Sequence, residues 1–274
     1  GHNDVLVGLA LVAAVVLAES RRPALAGVAA GLAVAAKLTV TVPLAGLALW
    51  VLVRRGGRAV AQLVGIAAAV TALGYLAAGG RALDTLRESS GDDSRFALWQ
   101  PLRNDAFESL RAEGWRFRPA LELVRDRMAL WSLVALVVVL LVIAWRYRRS
   151  AAAAETTVAT GLAHLLVATY VVPWYPAALA PTAALAWRSR ASALLWLQSA
   201  LLLLAYAEPP GTDAGSAFGR WLEDPGAALV GAALLALLVL WCRPSAPLPT
   251  SSFPEVPPPA GPDAEGAPVT SRLP

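Results

Sequence analysis

Polar side chains beside long apolar runs mark the places where this chain is expected to do chemistry, because such groups are costly in an apolar setting. The chain opens on His2, Asn3 and Asp4, directly before an apolar block. A helix cap would explain one of these residues but not all three. Lys37, the only lysine, lies inside a second apolar block. Such a lysine either extends its ammonium to an interface or holds an anion such as phosphate, and the residues alone favour neither interpretation.

An aromatic pair between two prolines, residues 173–176, ends a later apolar run. Its Trp174 and Tyr175 fit two interpretations. Tryptophan and tyrosine are enriched as anchors at membrane interfaces, whereas the flanking prolines also make a rigid shelf on which a sugar or an isoprenoid chain can stack. His164, inside the preceding run, is more typical of a hydrogen-bonded packing residue than of a catalyst.

The elements that must position these groups are membrane helices. Hydrophobic residues make up 57% of the chain and charged residues 15%, which is rare for a soluble domain. The apolar runs cover residues 5–18, 24–53, 59–78, 128–145, 151–172, 191–207 and 226–241. Several approach the ~20 residues that cross a hydrocarbon core, and their continuity disfavours barrel strands, which alternate. The predicted fold class is all-α, a polytopic transmembrane helical bundle.

Two segments do not fit a single crossing and predict short or re-entrant helices. Residues 24–53 would make a helix of roughly 45 Å, longer than the membrane is thick, with arginines beyond both ends. A re-entrant hairpin that breaks around residues 37–43 solves both difficulties, and a strongly tilted single span is the alternative. Residues 176–187 are too few for a crossing and predict a half-helix.

Arginine placement predicts the orientation, since arginines near membrane ends are retained on the cytoplasmic side. Clusters at residues 21–22, 54–58, 146–149 and 188–190 are therefore assigned to the inside. Residues 79–127 hold nine arginines and nine acidic residues and are assigned to the outside. The expected location is the plasma membrane, with a multi-pass chain and an active site on its extracytoplasmic side.

Four regions follow from this pattern. They are residues 1–78, with the N-terminal polar motif and the re-entrant pair; 79–127, an extracytoplasmic loop; 128–243, membrane helices with the Pro-Trp-Tyr-Pro motif; and 244–274, a disordered Pro-rich cytoplasmic tail. The chain has no initiator Met and no signal sequence, so it is expected to be the C-terminal part of a longer protein.

Several site classes are disfavoured by composition. A single cysteine, Cys242, excludes a disulfide framework, and two distant histidines give no metal site, so no metal or cofactor is expected. The basic balance reflects the retained loops, so no nucleic-acid partner is expected. One lysine against 22 arginines, with much alanine and valine, suggests a genome of high GC content.

The segment GHNDVLVGLALVAAVVLAESRRPALAGVAAGLAVAAKLTVTVPLAGLALW resembles actinobacterial polyprenol-phosphate-mannose-dependent mannosyltransferases of the GT-C superfamily, which are glycosyltransferase 87-like. VVPWYPAALAPTAAL is similar to a Pro-Trp-Tyr segment of the same enzymes. The resemblance implies a GT-C-like fold and transfer of a mannosyl or related hexosyl unit from a polyprenyl-phosphate donor to an extracytoplasmic glycan or lipoglycan. Membrane lipids are the remaining expected partners.

The resemblance also implies site residues. His2 and Lys37 are expected to hold the donor phosphate, Asn3 and Asp4 to bind sugar hydroxyls, and Trp174 with Tyr175 to line the donor groove. The base that takes the acceptor proton is implied to be an Asp upstream of Gly1, so the catalytic residue is unknown here and the chain is expected to be inactive alone. Asp4 is the alternative base.

Two other functions fit the membrane pattern. A transporter or flippase of lipid-linked sugars also uses broken helices and an intramembrane cation, although internal repeats would favour it and the sequence shows none. A non-catalytic membrane subunit is the third interpretation, because the expected base is missing.

Overall fold

The computed structural model describes residues 3–79, 97–148, 152–206, 221 and 226–240. Within these residues the chain forms ten α-helices and no strand: α1 (Asn3–Glu19), α2 (Pro23–Ala36), α3 (Thr41–Arg55), α4 (Gly57–Ala78), α5 (Gln100–Ala112), α6 (Phe117–Tyr147), α7 (Ala153–Val167), α8 (Ala180–Leu185), α9 (Arg190–Tyr206) and α10 (Ala227–Leu240). Two 3₁₀ turns, Leu38–Val40 and Tyr175–Ala178, complete the pattern. The predicted all-α helical bundle is confirmed, whereas His2 and the predicted tail, 244–274, lie outside the described residues.

Helix lengths separate spanning from partial elements. In the described part of the chain, three helices are long and apolar enough to cross a membrane: Leu38–Arg55, Gly57–Ala78 and Phe117–Tyr147. Pro23–Ala36, Arg190–Tyr206 and Ala227–Leu240 are apolar but shorter. At ~1.5 Å per residue the 31-residue α6 is ~46 Å long, so its charged N-terminal part extends beyond a hydrocarbon core of ~30 Å.

The long apolar block at residues 24–53 is a hairpin of two helices. It breaks at Lys37, whose backbone is extended with φ −156° and ψ 105°, and a 3₁₀ turn leads into α3. Arg55, the last residue of α3, donates from Nη2 to the carbonyl oxygen of Glu19 at 2.7 Å. Glu19 ends α1 shortly before α2 begins, so the block enters and leaves at the same end of the bundle. The predicted short helices are confirmed.

Small residues bring α2 against α4. A Cβ added to Gly27 would lie 2.7 Å from the carbonyl oxygen of Leu63, and one added to Gly31 would lie 2.6 Å from Cβ of Val70. Spacing of four between glycines lets two helix backbones approach closely in a membrane. Thr71 adds a hydrogen bond from Oγ1 to the carbonyl oxygen of Gly31 at 3.2 Å. α2 is thereby held along α4, while most of the α4 surface stays available to lipid.

The centre of the bundle is α7, whose residues are buried except for His164. Its threonines satisfy their hydroxyl groups within the helix, since Oγ1 of Thr157 donates to the carbonyl oxygen of Ala153 at 2.8 Å and Oγ1 of Thr160 to that of Thr156 at 3.0 Å. Gly46 of α3 lies directly against this surface, where an added Cβ would come within 2.9 Å of the Thr156 carbonyl oxygen. The α3–α7 contact is therefore a close one along the middle of the molecule.

The helix ends that carry arginine meet at one end of the bundle. Besides the bond from Arg55 to Glu19, the Glu19 carboxylate accepts from the backbone N–H of Ala153 at 3.3 Å, which places the start of α7 there. Arg146 near the end of α6 donates from Nη2 to the carbonyl oxygen of Leu240, the last residue of α10, at 3.3 Å. We call this the arginine end, and the end with Asp4 and Lys37 the lysine end.

Candidate functional site

The break at Lys37 ends one helix and starts the next. The Lys37 N–H donates to the carbonyl oxygen of Ala33 at 2.9 Å, and its own carbonyl oxygen accepts from the N–H of Val40 at 3.1 Å. Oγ1 of Thr41 donates to the carbonyl oxygen of Leu38 at 2.6 Å. The apolar helix Leu38–Arg55 thus begins directly after the ammonium-bearing residue, and the positive end of a helix dipole adds to the charge of Lys37.

Asp4 forms an ion pair with Lys37. Oδ1 of the carboxylate meets Nζ of the lysine, and the two side chains are 8% and 19% exposed. Asp4 lies in the first turn of α1, where the helix dipole favours a negative charge. Because the two residues are far apart in sequence, the pair exists only when α1 and α2 pack antiparallel. The sequence placed both residues in one site without predicting that they contact each other.

Tyr175 completes the contact around the ammonium. Nζ of Lys37 lies 4.2 Å from the centroid of the Tyr175 ring, within the range of a cation–π interaction. The edge of the Tyr170 ring meets the same tyrosine, with centroids 5.8 Å apart. Three of the six residues predicted for the site, Asp4, Lys37 and Tyr175, are therefore in direct contact.

The structure places the other predicted residues differently. Asn3, the first residue of α1, is exposed. Trp174 is 51% exposed and points away from the buried core, as an interfacial anchor would. His2 lies outside the described residues. The contacting group is thus smaller than the predicted one.

A cleft opens beside Lys37, between the start of α3 and the C-terminal half of α7. It measures about 300 Å³ including its open mouth. Its polar lining comes from Lys37, Thr39, His164 and Tyr175. Its apolar lining includes Val40, Pro43, Leu165 and Leu179. We call this the lysine cleft, and it has the composition of a site for an amphipathic molecule with an anionic head.

His164 and Thr39 are members of this lining that sequence reasoning did not assign to the site. His164 was interpreted as a packing residue, yet it faces the cleft and is the α7 residue that is not fully buried. The available signal was its position shortly before the Pro-Trp-Tyr-Pro motif, near the end of the same apolar run. Gly161, one turn earlier, allows the close approach of Leu179, since an added Cβ would lie 2.6 Å from Cδ1 of that leucine.

Three side chains from distant parts of the chain hold the segment that follows α7. Nε1 of Trp99 and Oγ of Ser132 both donate to the carbonyl oxygen of Val167, each at 2.6 Å. The hydroxyl of Tyr206 donates to the carbonyl oxygen of Val171 at 3.4 Å. The two bonds to Val167 satisfy a carbonyl group that the end of α7 leaves without a helical partner, and the bond to Val171 holds the segment that leads to Tyr175.

The charges of the site suit recognition of phosphate. A lysine ammonium, the start of a helix and an aromatic ring lie beside one cleft. The Asp4 carboxylate is paired with this ammonium, which is the group that an anionic ligand would contact. Among the described residues, no group of three or more His, Cys, Asp or Glu side chains could hold a metal ion.

Comparisons with known proteins give one match. No curated protein and no solved structure matches the chain. The model of glycosyltransferase family 87 matches residues 1–173, a stretch that includes Asp4, Lys37, His164 and the helices that carry them. Since that stretch covers more than half of the chain, this protein belongs to glycosyltransferase family 87 and is a membrane glycosyltransferase.

Proposed function

We propose that the lysine cleft binds a polyprenyl-phosphate sugar and that the protein transfers its hexosyl unit, mannose by the resemblance noted above, to a glycan or lipoglycan. The observation that carries this proposal is the lone lysine at a helix break beside a cleft with an apolar floor. A lipid-linked donor joins an anionic phosphate to an apolar chain, so both parts of the cleft have a counterpart in the donor.

Lys37 is assigned to the donor phosphate. Its charge is balanced by the Asp4 carboxylate, and its ammonium contacts the face of the Tyr175 ring. An arriving phosphate competes with the Asp4 carboxylate for Nζ, and the released carboxylate lies next to the sugar that the phosphate carries. This position suits the expected role of Asp4 in binding sugar hydroxyls. The base for the acceptor hydroxyl is not assigned to a described residue.

The active site is proposed to face outward from the plasma membrane. The lysine cleft lies at the end of the bundle opposite the arginine end, and arginine-rich ends are retained in the cytoplasm. Donor and acceptor then meet on the extracytoplasmic side. Tagging experiments that place Arg188 outside the cell would contradict this orientation.

Donor binding tests the assignment without requiring the base. Purified protein in nanodiscs is titrated with radiolabelled polyprenyl-phosphate mannose. Lys37→Gln is expected to weaken binding by roughly tenfold or more, the loss expected for one charge-assisted bond, and Lys37→Arg to retain part of it. Arg58→Gln, an exposed residue at the arginine end, is the matched control and is expected to bind as the unmodified protein does. Equal binding by Lys37→Gln and the control would refute the phosphate assignment.

Transfer must also be separated from transport. Membranes containing the intact gene product are incubated with the labelled donor, and label is followed into lipid-extracted glycan. A glycosyltransferase moves label from the lipid into glycan. Movement of intact labelled lipid across the membrane, without transfer, would instead favour the transporter interpretation.

A further inference from the structure

A second pocket lies at the arginine end, between α3, α6 and α7. It measures about 220 Å³ including its open side, and its lining includes Trp50, Val53, Arg54, Tyr147, Arg148 and Thr156. We call it the basic pocket. It shares no lining residue with the lysine cleft, and the transfer reaction proposed above makes no use of it.

The basic pocket differs from the rest of the arginine end because two helices contribute guanidinium groups to one concavity. Arg54 comes from the last turn of α3, and Arg148 follows the last residue of α6. Arg55 and Arg146, which do not line the pocket, donate to backbone carbonyl oxygens of other helices. Glu155, next to the pocket residue Thr156, is 2% exposed. Among the described residues that line the pocket, two carry guanidinium groups and none carries a carboxylate.

The surface around the pocket is apolar and suited to lipid. Leu52 is 47% exposed, Val53 46% and Trp145 63%. The guanidinium carbon of Arg148 lies 5.7 Å from the Trp145 ring centroid, which holds the charge against that apolar surface. Trp50 supplies a second tryptophan at the pocket, the residue type enriched where hydrocarbon meets headgroups. Acyl chains can therefore lie along α3 and α6 while a headgroup enters the pocket.

We propose that the basic pocket binds the phosphodiester headgroup of an anionic membrane lipid. Basic pockets between membrane helices on the cytoplasmic side recognise such headgroups, and planar guanidinium groups bind phosphate oxygens in pairs. The bound lipid would join the ends of α3 and α6. The proposal does not depend on the identity of the sugar donor, because the two sites have different lining and lie at opposite ends of the bundle.

The test compares lipids and matched charge losses in the whole protein. Thermal unfolding is measured in phosphatidylcholine nanodiscs without and with phosphatidylglycerol, and lipid retention is measured by native mass spectrometry. The double variant Arg54→Gln/Arg148→Gln is compared with Arg58→Gln/Arg188→Gln, which removes the same charge from exposed residues outside the pocket. Phosphatidylglycerol is expected to raise the Tm of the unmodified protein and of the control pair. The pocket pair is expected to bind it about 30-fold more weakly.

Three results would overturn the proposal. The first is an equal loss of lipid binding in both double variants, which would indicate a diffuse charge effect. The second is a Tm increase of the same size with inorganic phosphate in phosphatidylcholine discs, which would indicate a free anion. The third is unchanged binding by Arg148→Gln alone, a variant of an exposed residue that is expected to fold and to lose about fivefold in lipid binding.

Discussion

The lysine cleft and the basic pocket lie at opposite ends of the same helix pair, and they handle charge in opposite ways. Both take part of their lining from α3 or the turn before it and part from α7. At the lysine end one ammonium is neutralised by Asp4 and covered by Tyr175. At the arginine end two guanidinium groups share one small concavity. The number of charges therefore does not distinguish the end that is proposed to bind the donor. At the lysine end a ligand must displace the Asp4 carboxylate from the ammonium, whereas the two arginines of the basic pocket are exposed.

The largest expected effect is on folding stability at the lysine end. Lys37→Met leaves the Asp4 carboxylate enclosed without its cation, and we expect a loss of about 3 kcal/mol, the lower part of the range for breaking a buried pair. Reversible unfolding in mixed detergent and SDS micelles measures it. The double variant Asp4→Asn/Lys37→Met is expected to be more stable than Lys37→Met alone. Purely additive effects of the two substitutions would show that the pair contributes no coupling.

A second prediction tests whether both ends depend on the α3–α7 contact. Gly46→Ala forces a methyl group against Thr160 and the Thr156 carbonyl oxygen, so we expect a loss of about 2 kcal/mol in stability. Weaker donor binding and weaker lipid binding are both expected. Gly65→Ala on α4, where no atom lies within 4 Å of the added Cβ, is the control and is expected to be neutral or slightly stabilising. Equal effects of the two substitutions would contradict close packing at Gly46.

The third prediction separates structural from exposed arginines at the arginine end. Arg55→Gln removes the charged donor to the Glu19 carbonyl oxygen, so we expect stability to fall by about 1 kcal/mol in the same unfolding assay. Arg58→Gln, whose side chain is exposed, is expected to change it by less than about 0.5 kcal/mol. If Arg58→Gln destabilised the protein as much as Arg55→Gln, general charge and not the helix contact would hold this end together.

A fourth prediction, of about the same size as the third, concerns the aromatic ring over the ammonium at the lysine end. Tyr175→Leu removes the ring that lies 4.2 Å from Nζ of Lys37, a cation–π contact of about 1 kcal/mol, so donor affinity should fall about fivefold. Tyr175→Phe keeps the ring and is expected to remain within about twofold. Titration with the labelled donor measures both. A large loss with Tyr175→Phe would assign the effect to the hydroxyl group instead of the ring.

Much of the scaffold was predictable from local sequence. The excess length of residues 24–53 predicted a break, and the structure has this break at Lys37. The 14-residue α2 runs to the lysine end, and α3 then returns the chain to the arginine end. The short segment after Tyr175 was also predicted from its length, and it forms a 3₁₀ turn and the six-residue α8. The length of an apolar segment can be compared with the thickness of a membrane without knowledge of the rest of the fold, so a single sequence is sufficient for this prediction.

The partners within the candidate site were less predictable. Asp4 and Lys37 were assigned to one site, but their ion pair depends on how α1 and α2 pack. The two donors to the Val167 carbonyl oxygen are Trp99, in the turn before α5, and Ser132 of α6, and they have no shared pattern in the sequence. Their contacts depend on tertiary packing, which hydropathy does not encode.

Residue type and spacing along single segments predicted that this protein is helical, apolar enough for a membrane and, with a tilted span as the alternative, broken around residues 37–43. Its resemblance to lipid-dependent mannosyltransferases also agreed with the glycosyltransferase family that the chain belongs to. Only the tertiary structure decided which polar groups meet. The lysine cleft brings together the Asp4 carboxylate, the Tyr175 ring and His164 of α7. These groups come from segments that are far apart in the chain and meet only because their helices pack against one another. Contacts of this kind produce no periodic pattern in the sequence.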